Sequence, residues 1–274
     1  MPTQQLVIEP TRGLASLKLR EVWEYRELLY FLVWRDLKVR YKQTVLGVAW
    51  VVLQPLVATL IFTVVFGNLA RMPSGDLPYP LFAFAALLPW QYFAGALNRS
   101  GTSLVNSAHL ITKIYFPRLI IPLAGVINGL VDFSISFLVL LALMLYYSVV
   151  PGFAILTLPL FLLMAIATAL GVSLWLSALG VQYRDVNQLL PFLVQVWMYA
   201  TPVVYPATLF PERWRPLLGL NPMAGVVEGF RWALTNRGEP PGPLLWVSVA
   251  IVLVLLTSGA FFFRNTERTF ADVV

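Results

Sequence analysis

The sequence has no cysteine and only one histidine, His109, among its 274 residues. These absences exclude disulfide bonds and thiol chemistry, and they leave no Cys/His cluster of the kind that holds zinc. Charge is scarce as well, because 12% of the residues are Asp, Glu, Lys or Arg and a typical soluble domain carries about 25%. A soluble globular enzyme is therefore a poor interpretation, and so is a disordered chain, which needs abundant charge.

Motifs for nucleotide binding and for metal-dependent hydrolysis are absent too. The sequence contains no G-x-x-x-x-G-K-[ST] phosphate loop and no H-E-x-x-H, so ATP is not bound here in the P-loop manner. Two classes remain: a transport permease driven by a partner protein, and a membrane-embedded transferase or scaffold. The basic pI of 9.7 could indicate nucleic-acid binding, but basic residues that flank membrane spans explain it better.

Apolar residues, in contrast, make up 59% of the chain, and the mean hydropathy is +0.77. A helix that crosses the hydrocarbon core needs about 20 apolar residues, and the sequence has charge-free stretches of 22 to 51 residues. These runs are continuous rather than alternating, which excludes a β-barrel and predicts an all-α integral membrane protein. Six transmembrane helices are expected near residues 44–67, 79–98, 119–147, 153–181, 188–206 and 244–263.

The basic residues are distributed unequally between the two sides of this predicted topology. Fourteen of the 19 lysines and arginines lie before the first span, after the second, after the fourth or in the C-terminal tail, and five lie on the other side. Since cytoplasmic loops carry the excess of Lys and Arg, both termini are predicted to be cytoplasmic. The expected organisation is a cytoplasmic N-terminal segment, residues 1–43, followed by a six-span domain, residues 44–274.

Residues 21–42 predict an amphipathic helix that lies in the cytoplasmic interface. Its uncharged core, residues 28–34, is too short to cross the membrane, and its charged residues gather on one side of the helical wheel. The helix is either a simple anchor or a lever connected to the first span. Its basic residues either follow from the positive-inside rule or attract an anionic lipid phosphate. The residues singled out here are Tyr30, Trp34, Arg35, Lys38 and Arg40.

Residues 98–118, between the second and third spans, predict a short helix at the cytoplasmic mouth. Leu104 and Ile111 lie at helical spacing, and Phe116-Pro117 would end the helix before the third span. The segment carries few charges. It is therefore either a surface covered by another protein or a solvated loop helix, and its residues do not favour one over the other.

Residues 207–243, between the fifth and sixth spans, are predicted to lie on the external side. Asn221-Pro222 is typical of a helix start, with Asn at the cap and Pro at the first helical position. A helix from there through Thr235 has about 14 residues, too few to span, so we expect re-entrant or interfacial helices at the external rim. Glu228 and Arg231 are three residues apart and are expected to pair on one helical face.

Asp132 is the one acid well inside a predicted span. A charge at that depth costs about 2.5–3.5 kcal/mol on the insertion scale, so the carboxylate needs a partner, a cavity or a proton. The same helical face carries Gly125, Asn128, Gly129 and Ser136, and the two glycines allow close helix approach. Asp132 belongs either to a hydrogen-bonded packing seam or, although no second intramembrane acid accompanies it, to a proton or ion relay.

Polar and aromatic residues recur at about every fourth position in the first and fifth spans. The first span has Trp50 and Gln54, and the fifth has Gln195, Tyr199 and Tyr205. Aromatic faces bind sugar rings, because C–H groups stack on π surfaces. The alternative is that these residues form the interfacial belts of Trp and Tyr that are common in membrane proteins.

Four stretches of this chain resemble a known family. They are YRELLYFLVWRDLKVRYKQTVLGVAW (25–50), NRSGTSLVNSAHLITKIYFPRLIIPLA (98–124), YRDV (183–186) and NPMAGVVEGFRWAL (221–234). In this order they resemble the membrane subunit of type-2 ATP-binding-cassette (ABC) exporters. The most similar branch is the polysaccharide-export group, which handles O-antigen, capsule or teichoic acid. The resemblance covers about residues 20–270.

This resemblance implies an assembly in a bacterial inner membrane, with two copies of this chain and two separate ATPase subunits. ATP and Mg would be bound by the ATPases, and no cofactor by this chain. A lipid-linked polysaccharide would be exported through a channel between the two copies. The open alternatives are an exporter of the same architecture for a drug or small lipid and, less favoured, a membrane-embedded transferase.

The resemblance also implies roles for particular residues. It favours a lever over an anchor for residues 21–42, and a surface covered by another protein over a solvated loop helix for residues 98–118. Residues 25–42 look like the family's interface helix. Residues 100–113 look like the coupling helix that contacts the ATPase, through Asn106, His109, Leu110 and Lys113. The residues expected to line the channel are Trp50, Gln54, Gln195, Tyr199 and Tyr205. Those expected at the external gate are Asn221, Glu228 and Arg231.

Overall fold

The computed structural model of the chain describes residues 19–42, 47–183, 185–235, 240–267 and 270. Within these ranges the chain forms helices joined by turns, with no strand, as the prediction of an all-α fold requires. Residues 1–18 of the predicted cytoplasmic segment 1–43, its boundary with the first span and Arg184 of the YRDV stretch lie outside the described residues. The helices are α1 (Leu19–Glu24), α2 (Arg26–Lys42), α3 (Gly47–Phe62), α4 (Tyr79–Gly101), α5 (Ser103–Asn106), α6 (Ala108–Lys113), α7 (Ile120–Tyr146), α8 (Leu158–Gln182), α9 (Asp185–Tyr199), α10 (Arg215–Gly219), α11 (Pro222–Thr235) and α12 (Leu244–Thr266).

Five helical stretches in the described part of the chain are long and apolar enough to cross a membrane. They are Gly47–Leu69, Tyr79–Gly101, Ile120–Tyr146, Phe153–Gln182 and Leu244–Thr266. The first consists of α3 with a π-helical turn after it, and the fourth consists of a 3₁₀ turn followed by α8. All five coincide with predicted spans to within a few residues, because long apolar runs without charge leave the helix as the stable form in lipid.

The helix at the predicted fifth span is shorter than expected. We expected a span over residues 188–206, but α9 has 15 residues and ends at Tyr199, so it extends about 22 Å at 1.5 Å per residue. Pro202 explains the difference, because a proline has no backbone N–H and its ring clashes with the preceding helical turn. The apolar run continues after Tyr199 as a buried turn that includes Val203 and Val204.

Helix α4 is the centre of the fold and packs against α3, α7, α8, α9 and α11. Its sequence, rich in Phe, Leu and Ala on every side, suits a helix that is surrounded by protein. The contact between α4 and α7 is close. An added Cβ at Gly125 would lie 2.5 Å from Ser100 Oγ, and one at Gly129 would lie 2.7 Å from a guanidinium nitrogen of Arg99. The expectation that these two glycines allow close packing is confirmed.

Helices α3 and α9 lie at the edge of this bundle. α3 packs on α4 and α7, whereas α9 packs on α4 and α8. Their outward faces carry large exposed apolar side chains, among them Leu60 on α3 and Phe192 on α9. Because α4 lies between protein neighbours on most sides and these two helices do not, they have surface available for lipid or for another protein.

Candidate functional sites

Asp132 of α7 is the centre of an ionic cluster that joins three helices. Its carboxylate accepts hydrogen bonds from Arg40 Nη1 of α2 at 2.7 Å, from the Tyr41 hydroxyl of α2 at 2.5 Å and from Arg99 Nη1 of α4 at 3.1 Å. The Asp132 side chain is 23% exposed. Of the two interpretations of Asp132, the geometry therefore supports the hydrogen-bonded packing seam, and it supplies the partner that a carboxylate inside a span requires.

A second polar contact lies one helical turn earlier on both α2 and α7. Asn128 Nδ2 donates to Asp36 Oδ2 at 3.4 Å, and Asp36 also forms an ion pair with Arg35 at 2.8 Å. Positions 36 and 40 on α2 thus correspond to positions 128 and 132 on α7. The two helices therefore run in the same direction with side chains in register at a spacing of four residues.

Tyr41 is a stable hydrogen-bond donor in the ionic cluster. Burial, together with the hydrogen bond to the Asp132 carboxylate, raises the pKa of its phenol to about 12. The hydroxyl therefore keeps its proton at any physiological pH. Its role in the cluster is to donate, and it does not exchange a proton with the carboxylate in that range.

The interface helix α2 presents two different faces. The inner face packs on α7 through Leu32, which is buried, and continues into Asp36 and Arg40. The outer face exposes Tyr30 and Trp34, together with the basic residues Arg35 and Lys38. Of the three basic residues expected to attract a lipid phosphate, Arg40 instead contacts Asp132, because the carboxylate of a neighbouring span is its nearest acceptor.

The segment between α4 and α7 forms the predicted short helix, as two pieces, α5 and α6. Leu104 and Ile111 are buried, as their helical spacing predicted. On the opposite side the structure exposes Asn106, His109 and Lys113, and Leu110 is half-buried. The segment thus has a buried apolar side and an exposed polar side that is available to a partner. As expected, its last helix, α6, ends at Lys113, before Phe116-Pro117.

The predicted channel residues occupy two separate surfaces within one chain. Trp50 and Gln54 are exposed on α3, and Gln195 and Tyr199 are exposed on α9. Tyr205 differs, because it lies half-buried in the turn after α9, where its hydroxyl donates to the Tyr199 carbonyl at 2.7 Å. Within one chain the two surfaces flank α4.

Arg231 of α11 holds the turn after α9 in place from a fully buried position. Its guanidinium donates to the carbonyls of Val203 at 2.5 Å, Phe82 at 3.3 Å and Tyr205 at 3.5 Å, and it lies 3.7 Å from the centre of the Phe82 ring. Nη1 also pairs with Glu228 Oε1 at 2.9 Å, which confirms the expected pair at a spacing of three residues. Burial lowers the pKa of this guanidinium, and Glu228 opposes that shift.

Asn221 links the same turn to the start of α11. Its Oδ1 accepts from the Met223 backbone N–H at 3.1 Å, which is the expected helix cap, and from Trp197 Nε1 at 2.9 Å. Its Nδ2 donates to Thr201 Oγ1 at 2.9 Å. All three residues predicted at the external gate therefore contact either the segment between α9 and α10 or the C-terminal end of α9. They are Asn221, Glu228 and Arg231. We refer to them together as the external cap.

A cavity of about 730 Å³ opens beside the external cap. Its wall includes Glu228, Arg231 and Trp232 of α11 and several proline residues from the loops around it. The guanidinium of Arg231 is bonded to backbone carbonyls and to Glu228 at this wall. Within the described ranges no group of three or more His, Cys, Asp or Glu residues has the geometry to hold a metal ion.

The sequence patterns missed three residues of the ionic cluster and of the polar contact next to it: Arg99, Tyr41 and Asp36. The predicted topology assigns Arg99 to a loop, but Arg99 lies inside α4. It contacts Asp132, which is 33 positions away in the chain. One signal could have found it: two helices joined by a short segment run side by side, which brings the end of the second span close to the first half of the third. Asp36 and Tyr41 gave no such signal.

Five long apolar helices, with α2 packed on them, define a multi-pass integral membrane protein. The family model for the ABC-2 type transporter matches residues 27–235, and the chain belongs to this family. The resemblance found from the sequence is therefore confirmed. Members of this family are transport proteins of the membrane, in agreement with the expectation that the chain is not itself an enzyme.

Curated relatives match almost the whole chain. The O-antigen export system permease protein RfbA of Myxococcus xanthus is 30% identical over 258 residues, which is 93% of this chain and 98% of that protein. A protein of the same name from Klebsiella pneumoniae is 28% identical over 90% of this chain and 95% of its own length. The polysialic acid transport protein KpsM of Escherichia coli is 25% identical over 85% of this chain and 91% of its own length.

Proposed function

We propose that this chain is the permease subunit of an ABC exporter that moves a lipid-linked polysaccharide across the inner membrane of a bacterium. The observation that carries the proposal is the match, over more than nine-tenths of both chains, to an O-antigen export permease. The absence of a phosphate loop from the sequence agrees with a separate ATPase subunit, which would bind ATP and Mg. This chain would then supply the path through the membrane.

The topology that we propose has six crossings with both termini in the cytoplasm. Helix α9, together with the turn that follows it, would provide the crossing that is missing from the five long helices. α10 and α11 would then be the re-entrant pieces on the external side, and the burial of α11 supports this because half-crossing helices require protein around them. The excess of basic residues on the N-terminal side supports the orientation.

A second copy of this chain would complete the channel. The exposed faces of α3 and α9 are apolar, as a protein interface in lipid requires, and they carry Trp50, Gln54, Gln195 and Tyr199 among the apolar residues. Amide groups that form hydrogen bonds and aromatic rings that stack suit a path for sugar units. The external cap would close this path at its outer end when no substrate is present.

Transport would begin at the cytoplasmic elements. Closure of the ATPase dimer would displace α5 and α6 through Asn106, His109, Leu110 and Lys113, and it would displace α2 with them. Arg35 and Lys38 on the outer face of α2 would attract the phosphate of the lipid carrier, since basic residues near the membrane surface contribute about 1 kcal/mol each.

The test of this function is export by the purified complex. The chain would be co-purified with its ATPase, reconstituted in liposomes and given a lipid-linked polysaccharide, and the polymer that becomes protected inside would be measured with ATP and without it. We expect ATP-dependent uptake of the polymer. Stimulation of ATP hydrolysis by a drug or small lipid, with no uptake of polymer, would favour the alternative exporter. Turnover of substrate without any ATPase would point to a transferase.

The channel assignment has its own test in cells. Trp50→Ala and Tyr199→Ala together remove the two exposed aromatic rings of the predicted channel set, and we expect export to fall while the subunit level stays normal. Trp246→Ala, which removes an exposed ring from α12, a helix outside the predicted channel, is the matched control. Unchanged polymer export in the double variant would contradict the channel assignment.

A further inference from the structure

We infer that Asp132 is a positioning residue for transport: it ties both cytoplasmic elements, α2 and the α5–α6 segment, to α7, so that they displace the spans as one unit. The inference rests on the proposed function, because it concerns how movement at the ATPase side reaches the membrane. It differs from the channel and gate assignments, since Asp132 contacts neither.

Two of the donors belong to α2, and the third belongs to α4, the helix that leads directly into the α5–α6 segment. Arg40 and Tyr41 belong to the last turn of α2, and Arg99 lies near the end of α4. α4 ends at Gly101 and α5 begins at Ser103, so Arg99 is four residues before the segment expected to contact the ATPase. One carboxylate on α7 thus receives a hydrogen bond from the end of each moving element.

The contacts along α2 and α7 make the connection stiff. A single salt bridge would allow α2 to pivot, but Asp36 meets Asn128 one turn before Arg40 meets Asp132. Apolar packing around Leu32 adds a third level on the same inner face. Three contacts spaced about four residues apart along α2 restrict how α2 can rotate or slide relative to α7. A displacement of α2 is therefore transmitted to α7.

The cluster is also asymmetric in its charges. Two arginines share one carboxylate, so removing Asp132 leaves two partly buried guanidinium groups facing each other without their shared acceptor. Removing one arginine leaves the other ion pair in place. A large effect is therefore expected at the acceptor and a smaller one at each donor.

The first experiment compares export with ATP hydrolysis in the reconstituted complex. For Asp132→Asn we expect normal assembly with the ATPase, ATP hydrolysis within about twofold of wild type and export lowered about tenfold. Asp132→Glu keeps the charge and should recover most of the export. Ser134→Ala is the matched control, because Ser134 is exposed on the same helix and donates only to the Leu130 carbonyl of that helix.

The ratio of polymer exported to ATP hydrolysed separates positioning from mere stability. A purely structural role would lower both quantities together with the amount of complex and would leave the ratio unchanged. Export by Asp132→Asn within twofold of wild type, or an unchanged ratio, would overturn the inference. If Asp132→Asn does not accumulate in the membrane, the variant to measure is Arg40→Gln, because Arg99 and Tyr41 still contact the Asp132 carboxylate in it. A ratio of export to ATP hydrolysis that is lowered about threefold in Arg40→Gln supports the inference, and an unchanged ratio overturns it.

The second experiment uses the absence of cysteine from the sequence. Asp36→Cys combined with Asn128→Cys places the only two thiols of the chain where α2 meets α7, and a short thiol-reactive cross-linker would join them. We expect the cross-linked protein to export as well as the same protein without cross-linker, because the two helices move together. Failure to cross-link, or export lowered more than fivefold by the cross-link, would overturn the inference. Loss of export by the wild-type complex would instead refute the proposed function.

Discussion

The ionic cluster and the external cap are both polar networks inside an apolar protein, but they are built from different acceptors. In the cap, one buried arginine is bonded largely to backbone carbonyls, and its carboxylate partner is three residues away on the same helix. In the cluster, every bond of Asp132 joins side chains on different helices, and the groups keep partial contact with solvent. The backbone acceptors of the cap therefore fix one local conformation of a turn, whereas the side chains of the cluster tie whole helices to one another.

This difference indicates that the two ends of the protein have different tasks. The cap fixes one conformation of the turn after α9, so a change there should act first on stability. The cluster connects elements that are expected to move, so a change there should act first on the coupling between ATP hydrolysis and export. Substitutions at the cap and at the cluster test this difference between stability and coupling, and Arg231 is expected to have the largest effect on stability.

Arg231→Ala should have the largest effect on stability. It removes the buried guanidinium that donates to the Val203 and Phe82 carbonyls, and each hydrogen bond to a charged group contributes about 1.5–3 kcal/mol. The measurement is the unfolding midpoint of the purified protein in detergent, together with its level in the membrane. Arg213→Ala, which removes an exposed arginine on the same side, is the control. An unfolding midpoint equal to that of the control would contradict the structural role of the cap.

Gly125→Val should separate α4 from α7 and weaken the ionic cluster indirectly. Its Cβ would lie 2.5 Å from Ser100 Oγ, and overpacking of this kind costs about 1–3 kcal/mol. The shift should also lengthen the contact between Arg99 and Asp132 and lower export per ATP hydrolysed. Gly242→Ala is the control, because nothing lies within 4 Å of its added Cβ. Equal unfolding midpoints and equal export for both variants would show that the α4–α7 approach is less tight than described.

Asn221→Ala should give an intermediate loss of stability at the external cap. The change removes the helix cap on Met223 and the contacts with Trp197 and Thr201, and loss of a cap alone costs about 1–2 kcal/mol. We expect a lower unfolding midpoint and increased proteolysis in the external segment after α9. Thr208→Ala, at an exposed position in that segment, should change neither. Identical proteolysis of the two variants would rule out Asn221 as the link between α9 and α11.

Tyr41→Phe should have the smallest effect and should act at the cluster. It removes one of three donors to Asp132, and a single hydrogen bond contributes about 0.5–1.5 kcal/mol. The raised pKa of Tyr41 means that this contribution is complete below pH 10 and is lost as the pH rises through about 12. Unfolding measured between these pH values should therefore be less pH-dependent in Tyr41→Phe than in wild type. Tyr30→Phe, at an exposed tyrosine of the same helix, should keep the wild-type pH dependence, and an equal change in both variants would contradict the assignment.

Local features of the site were predictable from the sequence. The cap of α11 at Asn221 and the pair between Glu228 and Arg231 involve residues two or three positions apart, where helical geometry alone determines which side chains meet. The exposed and buried sides of the α5–α6 segment followed from the spacing of Leu104 and Ile111 for the same reason. In each case the information lies within a few turns of one helix.

Two expectations differ from the structure because local sequence patterns were not enough to predict the outcome. The apolar run through residue 206 suggested a continuous fifth span, yet α9 ends at Tyr199 because Pro202 outweighs hydrophobicity over that short distance. Arg40 was one of the basic residues for which attraction of a lipid phosphate was considered, but it contacts Asp132, which is 92 positions away in the chain. A helical wheel shows which residues of one helix share a face. It does not show which other helix that face will contact.

The sequence by itself determined the class of this protein, the positions of five long helices, the start and length of α11 and the resemblance to the ABC-2 family. These follow from hydrophobicity, charge and spacing within short segments, which act independently of the rest of the chain. Only the tertiary structure decided which side chains balance Asp132, which helix lies at the centre of the bundle and how the turn after α9 is held. Those outcomes depend on contacts between residues tens of positions apart, and such contacts exist only after the helices have packed.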